Sequence, residues 1–369
     1  MRVGIASEWI GEKVGGLERQ ATDLIRSMVQ VDATNEYVIF VTARGARTLQ
    51  SLPGPHGTVR PTALSSRWYY VPVGLPLAVL RSPVDVLHAT FTLAPWCPGK
   101  RVVFTVHDVC PDVHPEFFPA PIRRRFRWLV KQGVSRAARV AVPSEKTRQE
   151  LLQHYSVDAD RVVVIPNGVR PKLPMPQGTA STMDTTGWPS DYILYVGRFH
   201  ARKNLERLLE AFARVRTRQS VKLVLAGREL WTGDRVSKQI ESLGISKDVF
   251  CPGHVTDAVL EELYRRARVF AFPSIHEGFG IPPVEAMARS VPVLASRSSA
   301  MPEILGDAAL YTDPYDVEEM ANGLDRLLTD ETLRQTLIAR GHERAALYDW
   351  TRIARRTLSV YEETVRDAN

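Results

Sequence analysis

Two glutamates, Glu277 and Glu285, stand in the stretch SIHEGFGIPPVEAMA, which spans residues 274–288. The two glycines between them permit backbone conformations and close approaches that a Cβ atom would prevent. The second of the two prolines suits the first turn of a helix, where its missing N–H removes no hydrogen bond. We therefore predict an irregular loop that carries Glu277, followed by a helix over 284–289 with Glu285 in its first turn.

The predicted start of this helix makes the loop a candidate anion site. The first amides of a helix have no partner within it, and the helix dipole places partial positive charge at the same end. Phosphate groups bind at such positions. A carboxylate in the first turn, that of Glu285, can accept hydrogen bonds from the two vicinal hydroxyls of a ribose. The pattern favours a ligand that consists of a nucleoside diphosphate with a further group attached.

A second candidate for phosphate binding lies upstream, in YVGRFHARKN, residues 195–204. Arg198 follows a predicted strand at its glycine turn, Gly197, and Lys203 leads into a predicted helix. Positive charge aimed at a departing group contributes roughly 3–4 kcal/mol in comparable enzyme sites. The stretch is unusually basic, because Arg202 lies between the two cations.

These residues need strands and helices that bring them to one edge of a sheet. Short runs rich in β-branched residues alternate with amphipathic segments, which predicts βα units and parallel sheets. Ligands of such sheets bind beyond the carboxyl ends of the strands. The predicted strands are 2–6, 37–42, 84–89, 101–108, 138–144, 161–168, 192–199, 221–227, 267–274 and 291–296. The other predicted helices lie around 17–28, 205–212, 316–328, 331–346 and 350–366.

The length of 369 residues exceeds that of one ordinary core, so two domains are expected. Residues 171–190 are rich in Pro, Gly, Ser and Thr and show no periodicity, as is typical of linkers. We therefore predict an α/β protein with two doubly wound, Rossmann-like domains, over 1–170 and 191–349, that face each other across a cleft. The segment 350–369 is expected to return to the first domain.

The composition is that of a globular protein, with 44% hydrophobic and 24% charged residues. No run of about 18 apolar residues is present, so no membrane span is expected. The N-terminus lacks the apolar core and cleavage site of a signal peptide. The three cysteines, Cys97, Cys110 and Cys251, have neither a disulfide pattern nor a zinc spacing. These features favour the cytoplasm.

The net charge of +7 is concentrated in the first half of the chain. Residues 1–170 contain 22 Lys and Arg against 14 Asp and Glu, whereas residues 171–369 contain 26 against 27. This excess favours an acidic partner. The stretch IRRRFRWLVKQGVSRA, residues 122–137, has an apolar and a basic face, which is typical of helices at membrane surfaces; packing of the apolar face on the sheet is the alternative. No nucleic-acid partner is expected, because no aromatic platform or groove-reading motif accompanies the charge.

Two motifs in the first half can contribute to a site. Gly15 and Gly16 precede the first long helix but do not form the dinucleotide-binding fingerprint, and an ordinary loop pair is the alternative. His107 and Asp108 end a predicted strand within HDVCPDVH. That stretch mixes several metal-ligating side chains, but its prolines restrict it, and we expect no metal site.

The motifs together resemble those of the retaining family 4 glycosyltransferases, which have the GT-B fold. The resemblance runs along the whole chain, through VGGLER, TVHD, VPSE, IPNGV, YVGRFHARKN, HEGFGIPPVEAMA and SSAMPEILGDAAL. It implies that Arg198 and Lys203 bind the donor diphosphate and stabilise it as it leaves. It also implies that Glu277 holds the sugar. The backbone groups implied beside the donor are those of Gly197, Gly278, Phe279, Gly280 and Ile281.

The resemblance implies further roles on both sides of the reaction. Glu285 takes the ribose hydroxyls and Val255 lines the base pocket. His107 faces the sugar and the acceptor, and Asp108, on the acceptor side, orients His107 or caps the next turn. The glycine pair packs against the acceptor or the donor phosphate, with Gly15 on the acceptor side and Gly16 on the donor side.

The chain is most similar to the mannosyltransferase-type members of this family. We expect retaining transfer of a hexose, mannose from GDP-mannose, to the hydroxyl of a saccharide, a lipid-linked saccharide or a small natural product, with no metal or other cofactor. A UDP-sugar donor, a nucleotide-sugar epimerase of the same fold and a non-catalytic nucleotide-sugar or membrane-binding module remain alternatives. The expected location is the cytoplasm, with a peripheral contact to anionic lipid at the inner face of the plasma membrane through 122–137.

Overall fold

The computed structural model of the protein describes seven stretches of the chain: 1–12, 15–49, 57–62, 69–92, 101–170, 188–228 and 235–367. The chain divides into two units, Met1–Gly168 with Tyr348–Asn369, and Val169–Leu347. Residues 171–187 of the predicted linker lie outside the described residues.

Strands and helices alternate along both units. The strands are β1 (Arg2–Ser7), β2 (Glu36–Val41), β3 (Gly57–Pro61), β4 (Val86–Ala89), β5 (Val102–Thr105), β6 (Arg139–Val142), β7 (Val162–Val164), β8 (Tyr192–Val196), β9 (Lys222–Ala226), β10 (Val249–Gly253), β11 (Val269–Phe272), β12 (Val293–Ser296) and β13 (Ala309–Thr312). The helices are α1 (Gly16–Val31), α2 (Ala43–Thr48), α3 (Leu75–Arg81), α4 (Cys110–Val113), α5 (Ala120–Arg136), α6 (Glu145–His154), α7 (Leu205–Val215), α8 (Arg235–Ser242), α9 (Asp257–Arg266), α10 (Ile281–Ala288), α11 (Met301–Leu305), α12 (Val317–Thr329), α13 (Glu331–Ala346) and α14 (Trp350–Arg366). A π-helical turn over Tyr70–Gly74 leads into α3, and short 3-10 turns span Pro115–Phe117, Ala159–Arg161 and Ala201–Lys203.

The first unit contains a parallel sheet with the strand order β3-β2-β1-β4-β5-β6-β7. Buried apolar side chains cover both of its faces. On one face they come from the π-helical turn, α3 and α5, and include Tyr70, Leu75 and Val134. On the other face they come from α1 and α14, and include Ile25 and Tyr361. The C-terminal helix is therefore part of the core of the first unit.

The second unit contains a parallel sheet with the order β10-β9-β8-β11-β12-β13. The first strand of this unit, β8, has β9 on one side and β11 on the other. The connections that leave β8 and β11 therefore diverge at a topological switch point, where open α/β sheets bind ligands. The predicted α/β class with two doubly wound, parallel sheets is confirmed.

The elements differ from the predictions in their ends and in ten additions. The predicted strand 101–108 is too long, because β5 ends at Thr105. The predicted start of the helix at residue 284 is also wrong, since α10 begins at Ile281 and takes both prolines into its first turn, where no backbone N–H is needed. The structure adds three strands and seven helices to the predicted set: β3, β10, β13, α2, α3, α4, α6, α8, α9 and α11. No helix among the described residues is both long and apolar enough to traverse a bilayer.

Candidate active site

The loops after β8 and β11 bring a lysine and a glutamate into contact at the switch point of the second unit. The Nζ atom of Lys203 donates a hydrogen bond to Oε1 of Glu277. The two side chains are only 12% and 8% exposed. The ammonium group of Lys203 also lies over the ring of Phe272, 5.1 Å from its centroid. The pair is therefore a largely buried ion pair beside an aromatic wall.

Arg202 holds the other oxygen of the same carboxylate. Its NH1 atom donates to Oε2 of Glu277 at 3.0 Å and to the carbonyl oxygen of His276 at 2.7 Å. Burial by itself would raise the pKa of Glu277, but the positive charges of Arg202 and Lys203 outweigh it and lower this pKa to about 2. Glu277 is thus a fixed anion at physiological pH, able to accept hydrogen bonds from hydroxyl groups.

The backbone of Glu277 is held as firmly as its side chain. The hydroxyl of Ser299 accepts a hydrogen bond from the amide of Glu277 at 3.1 Å and donates one to its carbonyl oxygen at 2.7 Å. Ser299 itself has a left-handed backbone with φ of 53°. The connection after β12 therefore fixes the loop that follows β11.

A tight turn delivers the two cations to this glutamate. His200 caps the 3-10 turn by accepting a hydrogen bond from the amide of Arg202 at 3.3 Å. Asn204 ends the turn in the left-handed region, with φ of 60°, and its Nδ2 atom donates to the carbonyl oxygens of Pro273 at 3.1 Å and Pro314 at 2.6 Å. Side-chain bonds to two neighbouring loops thus set the position of the turn.

Arg198 stands at the carboxyl end of β8 with its side chain exposed. The preceding residue, Gly197, donates its amide to the carbonyl oxygen of Ala226 at 3.0 Å. The backbones are so close here that a Cβ atom on Gly227 would lie 1.8 Å from the carbonyl oxygen of Gly197. The glycines allow the two strand ends to lie close together, and Arg198 places a positive charge at this point.

The loop that contains Gly278 and Phe279 is buried and leads to Gly280, whose φ of 84° lies in the left-handed region. A Cβ atom on Gly280 would also approach the Cε atom of Met301 to 2.6 Å. Only glycine fits this corner. The corner caps α10, whose first residue, Ile281, is partly buried.

Glu285 lies one turn into α10 and is only 3% exposed. Its Oε2 atom accepts a hydrogen bond from the hydroxyl of Tyr264 at 3.1 Å. Arg289 stacks over the Tyr264 ring at 5.3 Å and pairs with Glu261, with an N–O distance of 2.7 Å. A buried network therefore orients this carboxylate. Val255, between β10 and α9, is partly exposed at the edge of the same sheet.

The other predicted residues belong to the first unit. Gly15 is exposed, has φ of 79° and caps α1, and a Cβ atom on Gly16 would meet no heavy atom within 4 Å.

The Nε2 atom of His107 donates to the carbonyl oxygen of Thr90 at 2.8 Å. Burial lowers the pKa of His107, so the ring is neutral at pH 7 with Nδ1 as acceptor. Asp108 accepts a hydrogen bond from the amide of Cys110, the first residue of α4, at 3.0 Å.

The remaining polar side chains of HDVCPDVH have local partners. Asp112 accepts hydrogen bonds from Tyr155 at 2.5 Å and from Arg127 at 2.8 Å. His114 pairs with Glu116 at 3.0 Å. Within the described ranges, no three His, Cys, Asp or Glu side chains are grouped as a metal site would require.

Comparison with known proteins decides the family. A model described as Glycosyltransferase Family 4 matches residues 14–173, and one described as Glycosyl transferases group 1 matches residues 187–344. O-antigen chain mannosyltransferase B of Escherichia coli is 31% identical over 281 residues, which cover 71% of this chain and 70% of that protein. The chain belongs to glycosyltransferase family 4.

Two further likenesses place this family 4 glycosyltransferase among known proteins. The MMP alpha-(1->4)-mannosyltransferase of Mycolicibacterium hassiacum is 31% identical over 308 residues, or 78% of this chain and 73% of that protein. The crystal structure of HepE from Anabaena in complex with UDP and glucose has a TM-score of 0.79 at 19% identity, and covers 98% of this chain and 100% of that one. The predicted GT-B fold and glycosyltransferase activity are confirmed.

The basic helix α5 of the glycosyltransferase packs its apolar side on the sheet. Val130, Gly133 and Val134 are buried, and a Cβ atom on Gly133 would lie 2.3 Å from the ring of Phe104. The apolar face predicted for a membrane is therefore occupied by the core of the protein. What α5 exposes is its basic side, with Trp128 in the middle at 49% exposure.

Three residues of the glycosyltransferase site lie outside the predicted set. Arg202 binds Glu277 together with Lys203. The high density of basic residues in 195–204 is the sequence feature that points to Arg202. Ser299 contacts Glu277, 22 residues away in sequence, and Tyr264 contacts Glu285, 21 residues away. Both contacts form only when the chain folds. No spacing rule points to either.

Proposed function

We propose that this glycosyltransferase transfers mannose from GDP-mannose to a hydroxyl acceptor, with retention of the anomeric configuration and without a metal. The buried contact of Lys203 with Glu277 at the switch point carries the proposal. It puts a cation for a diphosphate beside an anion for sugar hydroxyls, at a sheet edge where ligands bind. The names of two relatives, both mannosyltransferases at 31% identity, support mannose as the sugar.

The cations act on the charge that develops during transfer. The bond between the anomeric carbon and the diphosphate oxygen breaks, and its electron pair stays with the diphosphate. Arg198 and Lys203 stabilise this negative charge. In other enzymes a metal ion has this role. Arg202 keeps its bond to Glu277, so the carboxylate remains in place when Lys203 turns toward phosphate.

The acceptor supplies the new bond. Its hydroxyl oxygen bonds to the anomeric carbon on the face that the diphosphate leaves, and its proton passes to the departing diphosphate oxygen. Glu277 holds sugar hydroxyls, and Glu285, oriented by Tyr264, accepts from the ribose. His107, in the first unit, is proposed as a further residue of the reaction, and its neutral Nδ1 atom can accept a hydrogen bond.

The alternative donor is a UDP-sugar, because HepE, which shares the fold, was crystallised with UDP and glucose. The acceptor is proposed to be a saccharide, a lipid-linked saccharide or a small natural product. The proposed location is the cytoplasm, with the outer face of α5 against anionic lipid at the inner face of the plasma membrane.

A donor panel tests the proposal. The protein is incubated with GDP-, UDP- and ADP-sugars, with and without crude acceptor, and release of nucleoside diphosphate is measured in the presence of EDTA. We expect release from GDP-mannose that rises with acceptor, and a product whose anomeric configuration, read by NMR, matches the donor. Release only from UDP-sugars establishes the alternative donor. An inverted product, or activity abolished by EDTA and restored by Mg²⁺, contradicts the proposed mechanism.

A further inference from the structure

The segment 69–81 of the first unit carries an apolar stripe on its outer side. Tyr69 is 62% exposed, Val73 44%, Leu77 42% and Leu80 63%. Their spacings of four, four and three residues place them on one side of the helical segment. The inner side of the segment is apolar as well and lies in the core. The outer stripe is therefore not needed for the fold.

The exposed apolar residues are concentrated rather than scattered. Seven large apolar side chains are exposed in the described part of the chain, and four of them form this stripe. A fifth, Trp128, lies on the outer face of α5. Single exposed apolar residues need no explanation, whereas a contiguous patch indicates a binding surface.

The stripe and the outer face of α5 lie on the same side of the sheet. Inner residues of both segments, Val79 and Val130 among them, belong to one core cluster. The first segment contacts β2, where Tyr70 donates to the carbonyl oxygen of Phe40 at 2.7 Å, and α5 contacts β5 through Gly133 and Phe104. These two strands are three positions apart in the sheet, or about 15 Å at the usual strand spacing. The two outer faces can thus meet one flat partner.

The charge of this surface selects the partner. Helix α5 contains five arginines, one lysine and no acidic residue, and the segment 69–81 adds only Arg81. Arg124 and Lys131 are exposed on either side of Trp128. A protein interface tends to exclude lysine from its centre, whereas tyrosine, tryptophan and basic residues are enriched where proteins meet lipid headgroups.

We propose that this surface, defined by Tyr69, Val73, Leu77, Leu80 and the outer face of α5, rests on an anionic lipid bilayer. The apolar stripe enters the boundary between headgroups and acyl chains, and the basic side chains of α5 meet lipid phosphates. The membrane contact is thus made chiefly by a segment other than the basic helix, whose own apolar face is buried. The inference extends the proposed function to acceptors that are reached at a membrane, but the contact itself needs neither donor nor acceptor.

Vesicle binding of the full-length protein tests this surface. We expect it to sediment with phosphatidylcholine vesicles that contain phosphatidylglycerol, less with pure phosphatidylcholine, and less at high salt. The double variant Leu77→Asn/Leu80→Asn lowers partitioning about tenfold or more, from the loss of apolar contact. The double variant Arg124→Gln/Lys131→Gln lowers it about 25-fold, at about fivefold per basic side chain near an anionic surface.

Matched controls separate this surface from general attraction of a basic protein. Leu347, in the second unit, is 42% exposed like Leu77, and Leu347→Asn is expected to bind vesicles as the wild type does. Arg355 and Arg356 are exposed on α14, which covers the other face of the sheet, and Arg355→Gln/Arg356→Gln removes the same charge. Its partitioning is expected to change less than twofold, because these charges face away from the bilayer.

Three results overturn the inference. One is a wild type that does not bind anionic vesicles. Another is an equal loss of binding in the control variants. The third is a stable dimer, seen by light scattering, that the Leu77→Asn/Leu80→Asn variant dissociates, since the stripe is then an interface between copies. Nucleoside diphosphate release is measured in the same samples without vesicles, so a failure of the proposed donor chemistry is distinguished from a failure of membrane binding.

Discussion

Lys203 and Glu277, 74 residues apart in the chain, form a largely buried ion pair at the ends of the neighbouring strands β8 and β11. Arg202 binds the second carboxylate oxygen at 3.0 Å. The carboxylate is therefore held by two cations, and one of them can turn to a phosphate while the other remains. An anion that is fixed before the substrate binds needs little reorganisation during the reaction.

Removing either proposed diphosphate cation is expected to slow turnover. Lys203→Ala and Arg198→Ala each lower kcat for nucleoside diphosphate release about 100-fold or more, because the charge on the leaving group loses a partner. The control is Arg214→Ala, since Arg214 is an exposed cation of α7 that pairs with Glu318 away from the strand ends. Turnover close to that of the wild type in either site variant, at unchanged thermal stability, contradicts the assigned role.

Glu277 is expected to make stability depend on pH in the acid range. Its pKa is about 2 in the folded protein against 4.5 for an ordinary glutamate, so its ionised form stabilises the fold above about pH 4.5. That contribution, about 3 kcal/mol, is lost as the pH falls toward 2.

Denaturant titrations at several pH values measure this effect. The difference in free energy of unfolding between the wild type and Glu277→Gln is expected to be largest at neutral pH and to shrink steadily below pH 4.5. Glu343→Gln, at an exposed position of α13, is the control and is expected to change stability by less than about 0.5 kcal/mol. A difference that does not vary between pH 7 and pH 3 shows that the ion pairs do not hold Glu277 ionised.

Periodicity predicted most of the sheets, because buried parallel strands are continuous apolar runs. Two of the missed strands lack such runs. Strand β3, GTVRP, and strand β10, VFCPG, each lie at a sheet edge and contain a proline, which sequence rules treat as a break. The helical segment 69–81 was missed for a similar reason, since its prolines and its apolar residues on both sides hide the amphipathic pattern.

The site was predictable where chemistry is local and unpredictable where it depends on folding. Glycines and prolines mark the loop of Glu277 in the sequence itself. The bond from Ser299 to that loop and the bond from Tyr264 to Glu285 arise from packing between elements. The register of neighbouring strands and helices decides such contacts, and no short motif encodes it.

Tyr264 is expected to affect donor binding through Glu285. Tyr264→Phe removes the hydroxyl that donates to Glu285 at 3.1 Å, and the freed carboxylate binds the ribose less well. We expect the KM for the donor to rise about threefold to tenfold with little change in kcat. Tyr192→Phe is the matched control, because it also removes a buried tyrosine hydroxyl bond, to the carbonyl oxygen of Leu263 at 2.9 Å, but does not touch Glu285. If the KM for the donor rises equally in both variants, the rise comes from a general loss of stability and not from the bond between Tyr264 and Glu285.

Two serines with left-handed backbones are expected to respond oppositely to replacement by glycine. Ser290 has φ of 64° and is exposed, with one side-chain contact to His342 at 2.9 Å. Ser290→Gly is therefore expected to raise the free energy of unfolding by about 1 kcal/mol, through relief of backbone strain.

Ser299 has φ of 53°, but its hydroxyl makes two hydrogen bonds to the backbone of Glu277. Ser299→Gly relieves the same strain but loses both hydrogen bonds. Chemical denaturation is therefore expected to show a free energy of unfolding lower by about 1 kcal/mol, and donor binding is expected to weaken. A higher free energy of unfolding in this variant shows that Ser299 does not hold the loop.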